Sequence, residues 1–220
     1  MMRAVVFIDF DGTISPVDIS NTFFTRFAGR DAVDAVEEWK QGLISSCECL
    51  KREIDAFQGD IESLREFARE QPIDKGFYAL RDECLRRQVE VFVVSDGLDF
   101  YIEAFFARHG LDVSFFSNRL ETAGGNRRLE FPYHNEECGA CGNCKSSHVE
   151  RAKRDGKFII YIGDGLSDKC AVGKADLVFA KGDLDVYCTK HGIPHVTFEN
   201  LTQVNEHLRS MDIGTSLSRR

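Results

Sequence analysis

Proline, tryptophan and methionine are scarce in this chain: 4 Pro, 1 Trp and 3 Met in 220 residues. No apolar run comes near the roughly 20 residues that a membrane-spanning helix needs. The N-terminus offers one Arg and then a short apolar run ending at Asp9, too short for a signal peptide and without a cleavage region. Positive charge is also in deficit. Lys and Arg number 28 against 36 Asp and Glu, a net charge of −8, which argues against non-specific nucleic-acid binding. Internal repeats and low-complexity tracts are missing. The expectation is a cytoplasmic globular protein with neither a membrane nor a nucleic-acid partner. What is plentiful is glycine, 18 residues, and cysteine, 8 residues. The glycines suit tight strand-to-helix turns. Without a secretory signal the cysteines are expected as thiols or metal ligands, not as a disulfide framework.

The stretch Val5-Val6-Phe7-Ile8-Asp9-Phe10-Asp11-Gly12-Thr13-Ile14 reads as a buried strand that ends in two carboxylates and a turn glycine. Two acids at the end of a buried strand are costly unless something positive sits there, and a hard divalent cation is a natural partner. For Asp11-Gly12 alone, an ordinary turn is the simpler reading.

The pattern from Pro16 to Gln71 is helical, with four segments and no convincing strand, long for a single βα connection. Beyond it, buried strands alternate with helices. Val89 to Val94 ends at Ser95-Asp96-Gly97, and Phe158 to Ile162 ends at Gly163-Asp164-Gly165. Leu177 to Ala180 and a segment near His195 to Thr197 follow. This is a βαβ rhythm and implies a parallel sheet. Val113 to Tyr133 reads as a hairpin around Gly124-Gly125-Asn126. A helix is expected from Ser147, where Ser147-His148-Val149-Glu150 fits a capping box. The tail from Asp212 is polar.

Asp9 and Asp11, Ser95, Lys145, and Asp164 with Asp168 thus fall at strand ends or helix starts, where open α/β sheets bind ligands. Each type suits phosphoryl transfer. A carboxylate can attack phosphorus, and a second carboxyl group can move the proton. Ser95 offers a hydroxyl, and Gly97 lets backbone N–H groups approach a phosphate. Lys145 supplies positive charge, and Asp9 and Asp164 can hold Mg²⁺. Singly, Ser95 is most simply a helix cap, Lys145 a solvated cation, and Asp164 with Asp168 a complement to a helix dipole.

Taken in order, Asp9-Phe10-Asp11-Gly12-Thr13, Ser95, Lys145 and Gly163-Asp164-x-x-x-Asp168 resemble the four motifs of the haloacid dehalogenase (HAD) superfamily across essentially the whole chain. The resemblance implies an α/β fold: a HAD-type Rossmann-like parallel sheet flanked by helices. Residues 1–15 and 74–220 would form the catalytic core, and residues 16–73 an inserted helical C1 cap, as in phosphoserine phosphatase. It implies a Mg²⁺-dependent phosphomonoester hydrolase with Asp9 as nucleophile and Asp11 as general acid and base. Asp9, the Asp11 carbonyl and Asp164 would hold the metal, with Asp168 supporting them. Ser95, Asp96, Gly97 and Lys145 would form the phosphate site.

Ser95-Asp96-Gly97-Leu98-Asp99-Phe100-Tyr101 and the cysteine-rich segment before Lys145 are also similar to the methionine-salvage phosphatases. Those act on the enolase phosphate 2-hydroxy-3-keto-5-methylthiopentenyl-1-phosphate. There the second motif is typically Ser-Gly-Gly, so Asp96 is a departure. Asp18 stands where phosphoserine phosphatases usually carry Glu, which disfavours phosphoserine. The expected partner is a small phosphorylated metabolite. Phosphoserine, phosphocholine and pyridoxal phosphate are the alternative substrates. A phosphotransferase or mutase, and a non-catalytic metal-binding regulatory module, are the rival functions. Arg52 is a candidate for a substrate anion or a solvated helix residue.

Cys138-x-x-Cys141-x-x-Cys144 sits in a glycine-rich loop before Lys145. Three thiols at this spacing can converge on Zn²⁺, with His134 as the fourth ligand. The loop can equally serve only to turn tightly and present Lys145, or act as a redox-sensitive element. Phe105, Phe106, Phe115 and Phe116 are candidates for core or for the interface of a homo-oligomer.

Overall fold

A computed structural model describes residues 3–124 and 126–211. The tail from Asp212, singled out above as polar, lies outside the described residues. The chain forms two compact units. One comprises Met1–Pro16, Ile73–Val94 and Lys145–Arg220; the other comprises Val17–Pro72 and Ser95–Cys144. Most of the residues expected as a helical insertion thus belong to the second unit, which also takes in 95–144.

The first unit is a parallel α/β sheet flanked by helices. Its strands are β1 (Ala4–Asp9), β2 (Glu90–Leu98, which runs on into the second unit), β5 (Phe158–Gly163), β6 (Leu177–Ala180) and β7 (Val196–Thr197). Their order is β2-β1-β5-β6-β7. β1 pairs in parallel with β2 from Val5↔Glu90 to Asp9↔Val94, and with β5 from Ala4↔Phe158 to Ile8↔Ile162. All six residues of β1 are buried, and its Val5–Ile8 run is flanked by strands on both sides, as an unbroken apolar run in a parallel sheet must be. The order reverses at β1. The chain leaves β1 for β2 on one side, and β5, β6 and β7 build outward on the other. That reversal opens a crevice at the carboxyl ends of β1 and β5, where side chains can converge on a ligand.

The helices of this unit are α5 (Gly76–Arg86), α7 (Lys145–Arg154), the short α8 (Lys169–Val172), α9 (Gly182–His191) and α10 (Leu201–Ser210). α10 is capped by Asn200, whose side chain accepts from Gln203 N. α9 ends at Gly192, φ +64°, a left-handed residue that closes the helix. α7 begins at Lys145, two residues before the expected Ser147. The capping preference is a local effect, and Lys145 is held by distant residues, as shown below.

In the second unit, α1 (Ile19–Phe27), α2 (Arg30–Lys40), α3 (Ser46–Ala56) and α4 (Glu62–Glu70) match the four helical segments, and α6 (Asp99–Arg108) follows β2. Asp18 caps α1 by accepting from Asn21 N at 2.9 Å, and Ser45 caps α3 by accepting from Glu48 N. Asp60 likewise accepts from Glu62 N at the start of α4. A cluster of aromatic rings, Phe23, Phe24, Phe27, Phe57 and Phe67, fills the space between these helices, with centroids of 5.0–6.4 Å. β3 (Phe115–Ala123) and β4 (Asn126–Glu130) form the expected hairpin, antiparallel from Arg119↔Glu130 to Ala123↔Asn126. Arg127 reaches back from it to the carbonyls of Ile54 and Phe57, at 3.2 and 2.5 Å, and to that of Gly59. Phe105 and Phe106 are buried, and Phe106 packs edge-on against Phe115, so these rings belong to the core of this unit. No helix among the described residues is long and apolar enough to cross a membrane.

Candidate active site

Asp9 is the last residue of β1 and is buried. The chain then turns sharply: the N–H groups of Thr13, Ile14 and Ser15 all donate to the Phe10 carbonyl, at 3.0–3.2 Å. Gly12 makes this turn at φ +84°, and a Cβ there would overlap the Asp164 carboxylate. The glycine therefore serves both the backbone conformation and the approach of a second acid. Thr13 donates its hydroxyl to Asp164 Oδ1 at 2.7 Å and ties the turn to the end of β5. Asp11 is half-buried and bridges to Ser15.

Lys145 opens α7 and is 2 % exposed. A cation is disfavoured at the positive end of a helix dipole, so its position is set by partners. Nζ donates to Asp9 Oδ1, to Asp168 Oδ1 at 2.7 Å and to Ser167 Oγ at 2.9 Å. Asp168 is completely buried and also accepts from the Tyr161 hydroxyl at 2.6 Å.

Three acids with one ammonium leave uncompensated negative charge. Burial raises Asp9 well above the ordinary carboxyl range; Lys145 opposes this, and Asp168 and Asp164 add to it. Burial and the Asp168 charge likewise push Asp164 up to about 6. For Lys145, burial alone would lower the pKa, but Asp168 and Asp9 outweigh it and hold the ammonium above its usual value. Burial also pushes the Tyr161 phenol up, so it remains a donor. Among the described residues, Asp9, Asp164 and Asp168 are the group whose ligand atoms lie within 4.8 Å of one another in a way that suits a metal ion. The donor set is all oxygen, the hard type that takes Mg²⁺.

The second unit carries the Ser95 segment. β2 extends through Ser95, Asp96 and Gly97 to Leu98, so these residues end the strand and do not open the helix. Gly97 N–H donates to Ser95 Oγ at 3.0 Å. The buried Asn143 amide donates to the carbonyls of Ser95 and Phe116, both at 2.8 Å, while its backbone N–H donates to Asp96 Oδ1 at 2.8 Å. Asn118 donates to the Asp96 carbonyl at 2.7 Å and to Asp96 Oδ1 at 3.2 Å.

The zinc expectation is not supported. Cys138, Cys141, Cys144 and His134 do not form a convergent ligand group among the described residues. Cys138 is exposed while Cys144 is buried. His134 Nδ1 lies 2.7 Å from the Cys141 carbonyl, so that nitrogen carries the proton it donates, and it is 3.6 Å from Cys47 Sγ instead. Arg52 pairs with Glu38 at 2.7 Å and braces α3 against α2.

Sequence reasoning missed Thr13, Tyr161, Ser167, Asn118 and Asn143. Thr13 had a signal in Asp11-Gly12-Thr13; Tyr161 looked like one more apolar residue of its strand.

A phosphatase from Exiguobacterium sibiricum, named for 2-hydroxy-3-keto-5-methylthiopentenyl-1-phosphate, is 27% identical over 96% of this chain and 99% of its own length. One of the same name from Bacillus mycoides is 28% identical over 96% and 98%. Phosphoserine phosphatases share the fold. A phospho-aspartyl intermediate analogue structure has a TM-score of 0.71 at 21% identity, covering 96% of this chain and 100% of that one. The enzyme from T. onnurineus has a TM-score of 0.72 at 18% identity, covering 96% of each. The family described as Putative Phosphatase matches residues 4–217. With nearly its whole length matched, the chain belongs to that family and is a phosphatase, a phosphoric monoester hydrolase.

Proposed function

We propose that this phosphatase hydrolyses a small cytoplasmic phosphomonoester through an aspartyl phosphate on Asp9, with 2-hydroxy-3-keto-5-methylthiopentenyl-1-phosphate as the favoured substrate. The observation that carries the chemistry is the buried Asp9 carboxylate, bound to Lys145 at the end of the central strand. Asp9 attacks phosphorus, and the alcohol leaves with a proton from Asp11. Asp11 then takes a proton from water, which releases phosphate and regenerates Asp9. Lys145 orients the Asp9 carboxylate and faces the charge that develops on the phosphoryl oxygens. Ser95, Asp96 and Gly97 hold the phosphate, and Asn143 and Asn118 fix that backbone.

Asp9 and Asp164, with the Asp11 carbonyl, would hold Mg²⁺. The ion would supply positive charge to a phosphate oxygen and to the three acids. The convergence of Asp9, Asp164 and Asp168 around one ammonium supports this role, because three acids share a cation that can balance only one of them.

The names of the near-full-length relatives support the enolase phosphate, and we assign substrate choice to the helical residues 16–73 acting as a cap. One observation keeps a second substrate class in view: Asp96 replaces the glycine typical of the methionine-salvage pattern. Phosphoserine is disfavoured by Asp18, whose carboxylate is engaged as the α1 cap.

Phosphate release would be measured from the enolase phosphate, phosphoserine, phosphocholine and pyridoxal phosphate, with Mg²⁺ and with EDTA. Mg²⁺-dependent turnover, fastest on the enolase phosphate, is the expected result. Faster turnover of another member would reassign the substrate, and turnover undiminished by EDTA would remove the metal from the proposal.

A further inference from the structure

Asp168 stands where a metal ligand would stand, within 4.8 Å of Asp9 and Asp164 by ligand atoms. Its oxygens, however, are taken. Oδ1 accepts from the Tyr161 hydroxyl at 2.6 Å and from Lys145 Nζ at 2.7 Å. Oδ2 accepts from the backbone N–H groups of Asp164 and Gly165, at 3.2 and 3.1 Å. An ionised carboxylate has about four acceptor sites, so four donors fill it. Asp9 and Asp164 are less committed, with Oδ1 accepting from Lys145 and from Thr13 respectively.

The four donors differ in kind. Two are backbone groups, fixed by the turn after β5. Lys145 is shared with Asp9 and Ser167. Tyr161 is fully buried in β5, and its hydroxyl hydrogen bond to the site goes to Asp168. A phenylalanine would fill the same volume without the oxygen. The hydroxyl is therefore a polar group kept in an apolar strand, and its effect falls on the ligand capacity of one carboxylate.

We propose that Tyr161 determines cation specificity: by occupying Asp168 Oδ1 it keeps Asp168 out of the metal's ligand set. The cation is then left with two carboxylate side chains. Mg²⁺ is small, demands octahedral geometry and keeps several waters, so one or two carboxylates suffice. Ca²⁺ takes six to eight oxygens and gains from every further carboxylate within reach. A saturated Asp168 thus withholds from Ca²⁺ an oxygen that Mg²⁺ does not need. This inference rests on the proposed role of Asp9 and Asp164 as metal ligands.

The test is direct binding, by calorimetry on the full chain, of Mg²⁺ and of Ca²⁺. The chains compared are the wild type, Tyr161→Phe, Asp168→Asn, the double variant and Asp164→Asn, each checked for native near-ultraviolet dichroism. Tyr161→Phe should tighten Ca²⁺ binding by about tenfold and change Mg²⁺ binding by less than about threefold, a shift typical of altering groups around a metal's ligands. The gain should vanish when Asp168→Asn is added, because the new oxygen is then gone. A packing role for Tyr161 would not produce that dependence. Unchanged Ca²⁺ affinity in Tyr161→Phe, or a gain that survives Asp168→Asn, would overturn the proposal. Should Asp164→Asn bind Mg²⁺ as tightly as the wild type, the metal site itself is misassigned. Should it lose Mg²⁺ while Tyr161→Phe leaves Ca²⁺ binding unchanged, only the role of Tyr161 falls.

Discussion

Replacing Lys145 with methionine isolates the electrostatics of the site. Methionine approximates the length of the lysine stem and removes the ammonium. Asp9 and Asp168 then lose their shared cation while remaining buried. Breaking a buried pair in this way costs about 3–5 kcal/mol. Proton uptake sets a ceiling on the cost. A carboxyl that must be protonated in the native state, but titrates near 3.9 when unfolded, costs about 1.4 kcal/mol per pH unit above that value. For one further carboxyl driven into that state by loss of the ammonium, the ceiling is about 4 kcal/mol at pH 7 and about 1.5 kcal/mol at pH 5. The native variant binds more protons than its unfolded chain between these values, so its stability relative to wild type should rise as pH falls. Urea unfolding of both proteins in EDTA at pH 5, 6 and 7 measures this. A difference below about 1 kcal/mol that does not change with pH would refute the reasoning, since the ammonium would then be neutralising nothing. Phosphate release should also fall by about 10²–10³-fold, as when one preorganised charge contact is removed.

Asp9→Asn should abolish phosphate release while the fold and Mg²⁺ binding persist; residual turnover above about 1% in a steady-state assay would sink the nucleophile assignment. Gly12→Ala forces a Cβ into the Asp164 carboxylate at a left-handed φ. It should destabilise the protein by at least about 1–2 kcal/mol and weaken Mg²⁺ binding in calorimetry; native Mg²⁺ affinity would contradict it. His148 is buried on α7, and burial, with Arg151 beside it, lowers its pKa to about 4. The unfolded chain therefore binds the extra proton first, and stability should fall as pH drops from about 6.5 to 4, by up to about 3 kcal/mol. The His148→Phe variant should lose that part of the slope in pH-dependent unfolding; an unchanged slope would count against it.

Much of this fold could be read from local pattern. Leu177–Ala180 coincides with β6, and Phe158–Ile162 differs from β5 only by Gly163, because unbroken apolar runs have one comfortable place in a parallel sheet. The acids and Lys145 were legible because their order along the chain repeats a known set. What failed has a common cause, dependence on distant partners. The start of α7 was misread because Ser147 is the better local cap, whereas Lys145 answers to a carboxylate 136 residues away. The spacing of Cys138, Cys141 and Cys144 is local, but convergence on a metal is a property of the loop's path, and His134 instead serves a carbonyl. Tyr161 was invisible because a buried phenol with a partner and a buried phenyl ring look alike inside Phe-Ile-Ile-Tyr-Ile. Asn118 lies in the hairpin strand β3 and Asn143 in the glycine-rich loop before Lys145, and nothing local distinguishes a buried amide from a solvated one.

The span between Lys145 and Asp9 also bears on how the molecule is made. Closing a loop of that length costs entropy that no single ion pair recovers, so the contact must wait until neighbouring strands have brought the segments together. β1 itself pairs with partners more than eighty residues away on one side and more than one hundred and fifty on the other. Such a pattern folds slowly and leaves the acids of β1 and β5 without their ammonium until late. Competence for turnover therefore arrives with the last long-range closure, and regained activity during refolding should trail regained helical signal by a measurable interval.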